Sequence, residues 1–264
     1  MHNRLCGSKH TGVLQHQILA ATRFLSLCLR LETCLCSSFH QSLKTNHSSM
    51  DQSLFIALNN SPKNPLVDAV MATVSCWAAW WPLVVIAGVC FLVFGGFRAR
   101  ALVFAAVLAV GINDGLICRN LKSTVQRPRP HEVLSGVRSI DLAKATPRLM
   151  AIRLPVQVKI SSIDTPATTG KSFPSSHAAN CFAMATVCFL FYRRWGWIAF
   201  LPAALVAFSR MYVGSHWPLD VLAGSFIGIA CALGVVTLLR VLWKKIAPVF
   251  APHLHSAHHD LLNP

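Results

Sequence analysis

From residue 77 onward the chain is written in long apolar runs separated by short polar interruptions. Five of these runs reach the roughly 20 residues needed to cross a hydrocarbon layer about 30 Å thick. They cover approximately residues 77 to 97, 101 to 118, 173 to 192, 195 to 213 and 218 to 243. Lipid offers backbone N–H and C=O groups no partners, so such runs are helices, and Pro82, Gly88 and Pro202 are tolerated inside them. Residues 154 to 161 (LPVQVKIS) change period and alternate apolar with polar. That predicts a short strand or an extended stretch on the bilayer surface, with a plain connecting loop as the alternative. Ahead of the first run, MDQSLFIALNN and NPLVDAVM read as short amphipathic segments, so residues 51 to 76 are expected at the interface. The predicted fold is all-α, a polytopic membrane helical bundle of about five spanning helices plus an N-terminal interfacial helix.

Composition narrows the class. Among 264 residues, 54% are hydrophobic and only 12% charged, and the mean hydropathy is +0.51. Soluble domains carry about 25% charged residues, so an ordinary soluble enzyme is excluded, as is a largely disordered chain. Seven tryptophans, Trp77, Trp80, Trp81, Trp195, Trp197, Trp217 and Trp243, fall near predicted helix ends, where amphipathic rings prefer the interface. Of ten cysteines, six lie in or beside apolar runs and imply no disulfide framework. Cys6, Cys28, Cys34 and Cys36 share the first 49 residues with five histidines, without zinc-type CxxC spacing. Residues 1 to 49 are expected as a poorly ordered tail ahead of a native start at Met50. The domain proper runs from 50 to 245, and residues 246 to 264 form a His-rich tail expected to be flexible and solvated.

Orientation follows from the short loops, which retain Lys and Arg on the cytoplasmic side. Arg98 and Arg100, Arg193 and Arg194, and Lys244 and Lys245 all fall on one side of a five-helix path. Segments 119 to 173 and 213 to 217 then face outward. The first carries ten Lys or Arg against three acids, net +7, which runs against the charge rule. Chemistry accounts for some of these cations. Lys122, Arg129, His177, Arg210, His216 and Asp220 all fall near helix ends on that outer side, although the orientation was set by other residues.

Three fixed cations, Lys122, Arg129 and Arg210, suit a dianionic phosphate, and arginine adds bidentate geometry. His216 and Asp220 are four apart and share a helix face, with Pro218 suited to the first turn. A carboxylate there holds the imidazole tautomer and leaves the other nitrogen free to attack phosphorus. His177 can protonate a leaving oxygen, and Ser175 and Ser176 can donate to phosphate oxygens. Arg127 sits between two of the cations, where a lipid-headgroup contact is expected. Asn113 and Asp114 are expected to make a helix–helix hydrogen bond. TGKS at 169 to 172 lacks the upstream glycine of a phosphate-binding loop and is rejected as one.

Lys122 with Arg129-Pro130, then Pro174-Ser175-Ser176-His177, then Ser209-Arg210 followed by His216 and Asp220, resembles the three-part signature of the type 2 phosphatidic acid phosphatase superfamily. The resemblance covers approximately residues 50 to 245. It implies a metal-independent membrane phosphatase, without cofactor, that works through a phosphohistidine. His216 would be the nucleophile, Asp220 its orienting partner and His177 the general acid. Lys122, Arg129, Ser175, Ser176 and Arg210 would form the phosphate cradle. Ser176 departs from the pattern, since the family more often has Gly there. Short bacterial members acting on undecaprenyl diphosphate have a similar layout. The implied partners are the bilayer and a membrane lipid substrate, not nucleic acid. The implied location is the bacterial inner membrane, with the site facing the periplasm. Two further readings stay open: transfer of the phosphoryl group to another hydroxyl, and a lipid-phosphate binding or transport protein without turnover.

Overall fold

A computed structural model describes residues 49–60, 64–146 and 148–262. The expectations for the N-terminal tail therefore lie outside the described residues. Helices dominate. Two short ones, α1 (Ser49–Asn59) and α2 (Pro65–Ser75), precede α3 (Trp77–Phe94) and α4 (Phe97–Ile112). Asn64 starts α2 by accepting from Leu66 N at 2.9 Å, with Pro65 in the first turn. A π-helical turn (Asn113–Cys118) joins α4 to α5 (Arg119–Val125) and the one-turn α6 (Pro130–Val133). Strand β1 (Arg138–Asp141), a 3₁₀ turn (Arg148–Arg153) and strand β2 (Gln157–Ile160) make up the long intervening segment. Then come α7 (Ser176–Phe191), a 3₁₀ turn (Gly196–Ala199), α8 (Phe200–Tyr212), α9 (Pro218–Phe250) and α10 (Pro252–Ala257).

The interfacial start is thus two helices. Among the described residues, three stretches are long and apolar enough to cross a membrane: Trp77–Phe94, Phe97–Val133 and Pro218–Phe250. The runs expected at 173 to 192 and 195 to 213 form shorter apolar helices, Ser176–Phe191 and Gly196–Tyr212. Position in the bundle accounts for this. Helix α7 is central, packed against α9, α8 and α4, and its apolar residues serve protein contacts as much as lipid. Helix α3 is peripheral, with Ala79 its one buried residue, and so carries an uninterrupted apolar surface.

Small residues set the closest packing. Where α9 crosses α7, Gly228 lies so near Ala179 that an added Cβ would overlap the Ala179 carbonyl oxygen. Close backbone approach of this kind is how helices associate in lipid, where no hydrophobic drive separates them from solvent. The core continues through Ala105, Ala109, Ala183, Val187 and Ala232. Asn113 Nδ2 donates to Asn180 Oδ1 at 2.6 Å and joins the π-helical turn to α7, as expected of a polar group inside a bundle. Asp114 is exposed.

Residues 154 to 161 do contain the strand. β2 pairs antiparallel with β1, Arg138 opposite Ile160 and Asp141 opposite Gln157. A buried network fastens this hairpin to the bundle. Arg138 Nη2 pairs with Asp68 Oδ2 at 2.6 Å, and Tyr212 Oη donates to Asp68 Oδ1 at 2.7 Å. Asn59 Nδ2 donates to the carbonyls of Arg138 and Tyr212, each at 2.9 Å.

Two expectations need correction. The C-terminal segment does not float free. Asp260 pairs with Arg240 and Lys244 at 2.7 and 3.1 Å, His258 stacks on Phe97 at 4.3 Å, and Leu261 and Leu262 are buried in the core. The apolar Leu261–Leu262 pair outweighs the polar histidines before it. No group of His, Cys, Asp or Glu able to hold a metal ion occurs among the described residues. Trp217, for its part, is fully buried, because its ring lies against Phe55 at 5.3 Å and its N–H is bound by Pro128 O at 2.9 Å.

The α7–α9 contact predicts that Gly228→Val lowers stability by about 1–3 kcal/mol through overpacking. Gly88→Val, where a Cβ meets nothing, is expected to stay within about 0.5 kcal/mol of the parent. Thermal unfolding of both variants in one detergent measures the difference.

Candidate active site

Three stretches distant in sequence meet at one end of the bundle. The first runs from α5 to the start of α6. Gln126, in the left-handed conformation, ends α5 by donating its N–H to Lys122 O at 3.2 Å, and the chain then passes through Arg127, Pro128 and Arg129. The second is the start of α7, with Ser175 at its N-cap. The third is the turn from α8 to α9, where Gly214 takes φ +78 and the chain reverses between Arg210 and His216. A Cβ on Gly214 would also overlap the Arg138 carbonyl oxygen, so the turn is fitted against β1.

These placements bring together every residue assigned to the site from sequence. His177 lies within electrostatic range of Arg210, His216, Lys122 and Arg129. Arg129 and Arg210 in turn act on His216. Lys122 Nζ donates to Ser176 Oγ at 2.7 Å, so the Ser176 hydroxyl accepts from one of the three cations. The Ser175 hydroxyl is buried and unpartnered among the described residues, and the first-turn N–H groups of α7 lie beside it. Arg210 Nη1 donates to the Ser75 hydroxyl and, at 3.3 Å, to the Ser75 carbonyl, while its buried Nε has no partner among the described residues.

Asp220 is fully buried and has more partners than the sequence indicated. Its Oδ1 accepts from Arg127 Nη1 at 2.7 Å. Its Oδ2 accepts from the Ser172 hydroxyl at 2.5 Å and from Trp217 N at 3.1 Å. The His216 Nδ1 to Asp220 Oδ2 distance is 3.8 Å, beyond a hydrogen bond, and Ser172 Oγ stands 3.4 Å from the same nitrogen. The carboxylate therefore reaches the imidazole through a serine hydroxyl. Burial pushes the His216 imidazole down to about 4, against the upward pull of Asp220 and with Arg210 and Arg129 adding to the downward push. At neutral pH the ring is uncharged.

Arg127 does not meet lipid headgroups. It is fully buried and bridges Asp220 to Asp51, Nη2 to Oδ2 at 2.6 Å, with its guanidinium 5.2 Å from the centre of the Trp217 ring. Burial of two carboxylates requires a cation between them, and the residue nearest in the fold supplies it. Asp51 also accepts from Leu219 N at 3.0 Å, so α1 is tied to the start of α9. The TGKS fragment proves to be a strap: Gly170 N and Ser172 N donate to Gln126 O and Arg127 O at 2.9 and 2.8 Å. Asp51, Arg127 and Ser172 were the contributors that motif spacing missed. The available signal was an acid in the first turn of an amphipathic helix, which has to find a partner when the helix docks.

The class this defines is a membrane helical bundle with two imidazoles, three cations and helix-start hydroxyls gathered at one end. Comparison gives the family. Residues 98–244 match the PAP2 superfamily model, and the chain belongs to that superfamily. Over 98 residues it is 39% identical to an undecaprenyl-diphosphatase of Sulfolobus acidocaldarius, covering 36% of this chain and 48% of that protein. A putative undecaprenyl-diphosphatase, YbjG, of Escherichia coli is 34% identical over 86 residues, 32% of this chain and 41% of that one. The chain thus spans less than half the length of these relatives. Among solved structures, Aquifex aeolicus LpxE superposes with a TM-score of 0.50 at 26% identity, covering 74% of this chain and 98% of LpxE. A Bacillus subtilis PAP2-type phosphatidylglycerolphosphate phosphatase gives 0.51 at 19% identity, covering 82% and 94%, a likeness of fold alone.

Removing one member of a buried ion pair leaves the other uncompensated, at a cost of about 3–5 kcal/mol. Arg127→Gln is expected to lose that much stability, and an exposed cation such as Arg153→Gln within about 0.5 kcal/mol of nothing. Denaturation midpoints of the two variants in the same detergent provide the check.

Proposed function

We propose that the protein is an integral-membrane phosphatase that removes phosphate from a lipid phosphomonoester or diphosphate, by way of a phosphohistidine and without a metal. The observation that carries this reading is the pairing of a neutral, buried His216 with His177 inside a ring formed by Lys122, Arg129 and Arg210. The undecaprenyl-diphosphatases among its relatives make a polyprenyl diphosphate the first lipid to test.

The reaction divides into two displacements. Lys122, Arg129 and Arg210 draw the dianionic phosphate into place, and Ser175, Ser176 and the first N–H groups of α7 donate to its oxygens. His216 carries its proton on Nδ1, toward Ser172 and Asp220, so the Nε2 lone pair faces phosphorus. Nε2 attacks, the N–P bond forms and the bond from phosphorus to the lipid oxygen breaks. His177 gives its proton to that oxygen, and the bound dianion supplies the negative charge that a protonated His177 needs. Water then gives a proton back to His177 and attacks phosphorus, the N–P bond breaks, and inorganic phosphate leaves with His216 restored. Asp220, held by Arg127 and Ser172, orients the nucleophile without taking the proton. The tails stay in the bilayer while the headgroup enters the site, which we place on the periplasmic face of a bacterial inner membrane.

Purified protein is expected to release inorganic phosphate from at least one of undecaprenyl diphosphate, phosphatidic acid, phosphatidylglycerol phosphate and lipid A. His216→Asn should lower that release by at least about 10³-fold. Equal release from both proteins removes the mechanism.

The lowered affinity of His216 for a proton gives a second outcome. In ¹⁵N-histidine spectra, the signals lost in His216→Asn should stay in the neutral Nδ1–H form as pH falls through 6.5, the ordinary histidine value. Protonation should come only on approach to about 4. Ser172→Ala should alter the tautomer balance, and Ser172→Thr, which keeps the hydroxyl, should restore it.

A further inference from the structure

We propose that residues 149–160 form an interfacial lip that inserts into the headgroup layer of the leaflet facing the site and binds anionic lipid there. The segment hangs outside the helices, yet it is not polar. Leu149, Met150, Ile152, Leu154, Val158 and Ile160 are all exposed, Met150 to 60% and Ile160 to 67%. All four β2 residues are exposed, so neither face of that strand packs on the protein. Six exposed apolar side chains on one connecting segment mark a contact with something else.

Its height identifies the partner. Ala151, fully buried, anchors the 3₁₀ turn in a cluster with Ala72, Ile140, Leu142 and Val213, beside Cys76 at the start of α3. The turn also packs on α3 directly. At that end α3 exposes Trp77, Trp80 and Trp81, the residues that settle at headgroup depth. The lip thus continues the lipid-facing surface of a spanning helix at its aromatic belt. Its charge fits the same partner: residues 148–160 contain three cations and no acid, and Arg153 and Lys159 are exposed among the apolar side chains. The lip is linked to the turn before His216 through β1: β2 pairs with β1, and Ile140 N of β1 donates to Val213 O at 3.2 Å, three residues before His216. A lipid held by its headgroup on this surface is already beside the cradle.

The insertion is testable without turnover, and only the delivery of substrate rests on the phosphatase reading. In full-length protein carrying the fluorescent residue dansylalanine at position 160, reconstituted into phosphatidylcholine vesicles containing phosphatidylglycerol, a nitroxide near the lipid headgroup should quench the probe and aqueous iodide should not. Quenching by iodide, or by neither agent as in a protein–protein contact, overturns the lip. With a long-chain lipid phosphate in vesicles, Met150→Ser/Ile152→Ser should raise KM several-fold. Its rate on a water-soluble short-chain phosphate should stay unchanged, and equal loss on both substrates overturns the delivery role. A lipid-quenched probe in a protein that releases no phosphate leaves the lip standing and removes the phosphatase reading alone.

Discussion

One buried guanidinium organises the functional end of this molecule. Arg127 stands between Asp51 of α1 and Asp220 of α9, and the three ionised groups are withdrawn from water together. The desolvation of such a set costs several kcal/mol per ion and is recovered only with good geometry and full hydrogen bonding. Asp220 meets that condition with three partners, Arg127, Ser172 and the Trp217 N–H, and Ser172 in turn stands beside His216. A carboxylate assigned an orienting role from its spacing to His216 is first a structural hub. An interfacial helix, the loop after α5, the strap before α7 and the start of α9 all converge on it.

The parts legible in the sequence were those with a periodic or spaced signature. Long apolar runs gave the helices, and the positions of Lys122, Arg129, His177, Arg210, His216 and Asp220 gave a cluster that the folded chain gathers. The strand at 157 to 160 was among the readings its alternation left open, although all four of its residues are exposed. Partners were less legible than sites, for a physical reason. Arg127 next to Pro128 looks the same in sequence whether it faces headgroups or two carboxylates, and only the docking of α1 decides. Ser172 belongs to a fragment with no motif of its own, and backbone hydrogen bonds to Gln126 and Arg127 place it. The C-terminal segment was misjudged because its histidines suggested solvation, whereas Leu261, Leu262 and Asp260 decide its position.

The two kinds of packing along the bundle divide the work. Away from the site, α7 and α9 meet through small residues, and such close backbone contact allows little relative movement. Toward the site the same helices are joined by polar contacts: Ser175 N donates to the Asp220 carbonyl at 3.0 Å. The apolar half supplies rigidity, and the polar half carries the candidate site. Exchange of the two would leave charged groups in lipid without partners.

The same arrangement positions the two imidazoles of the proposed mechanism. His177 sits in the first turn of α7, and His216 sits two residues before α9 begins. The α7–α9 contact, where a Cβ on Gly228 would overlap the Ala179 carbonyl oxygen, fixes the helix that carries His177 against the helix that follows His216, and the α8–α9 turn seats the second ring. In-line displacement at phosphorus requires nucleophile and acid on opposite sides of one atom, and small errors in that geometry cost large factors in rate. In the proposed mechanism a Gly228 to Ala179 approach deep in the bundle thus constrains the geometry at its end, through two helices and the backbone hydrogen bond between Ser175 and Asp220.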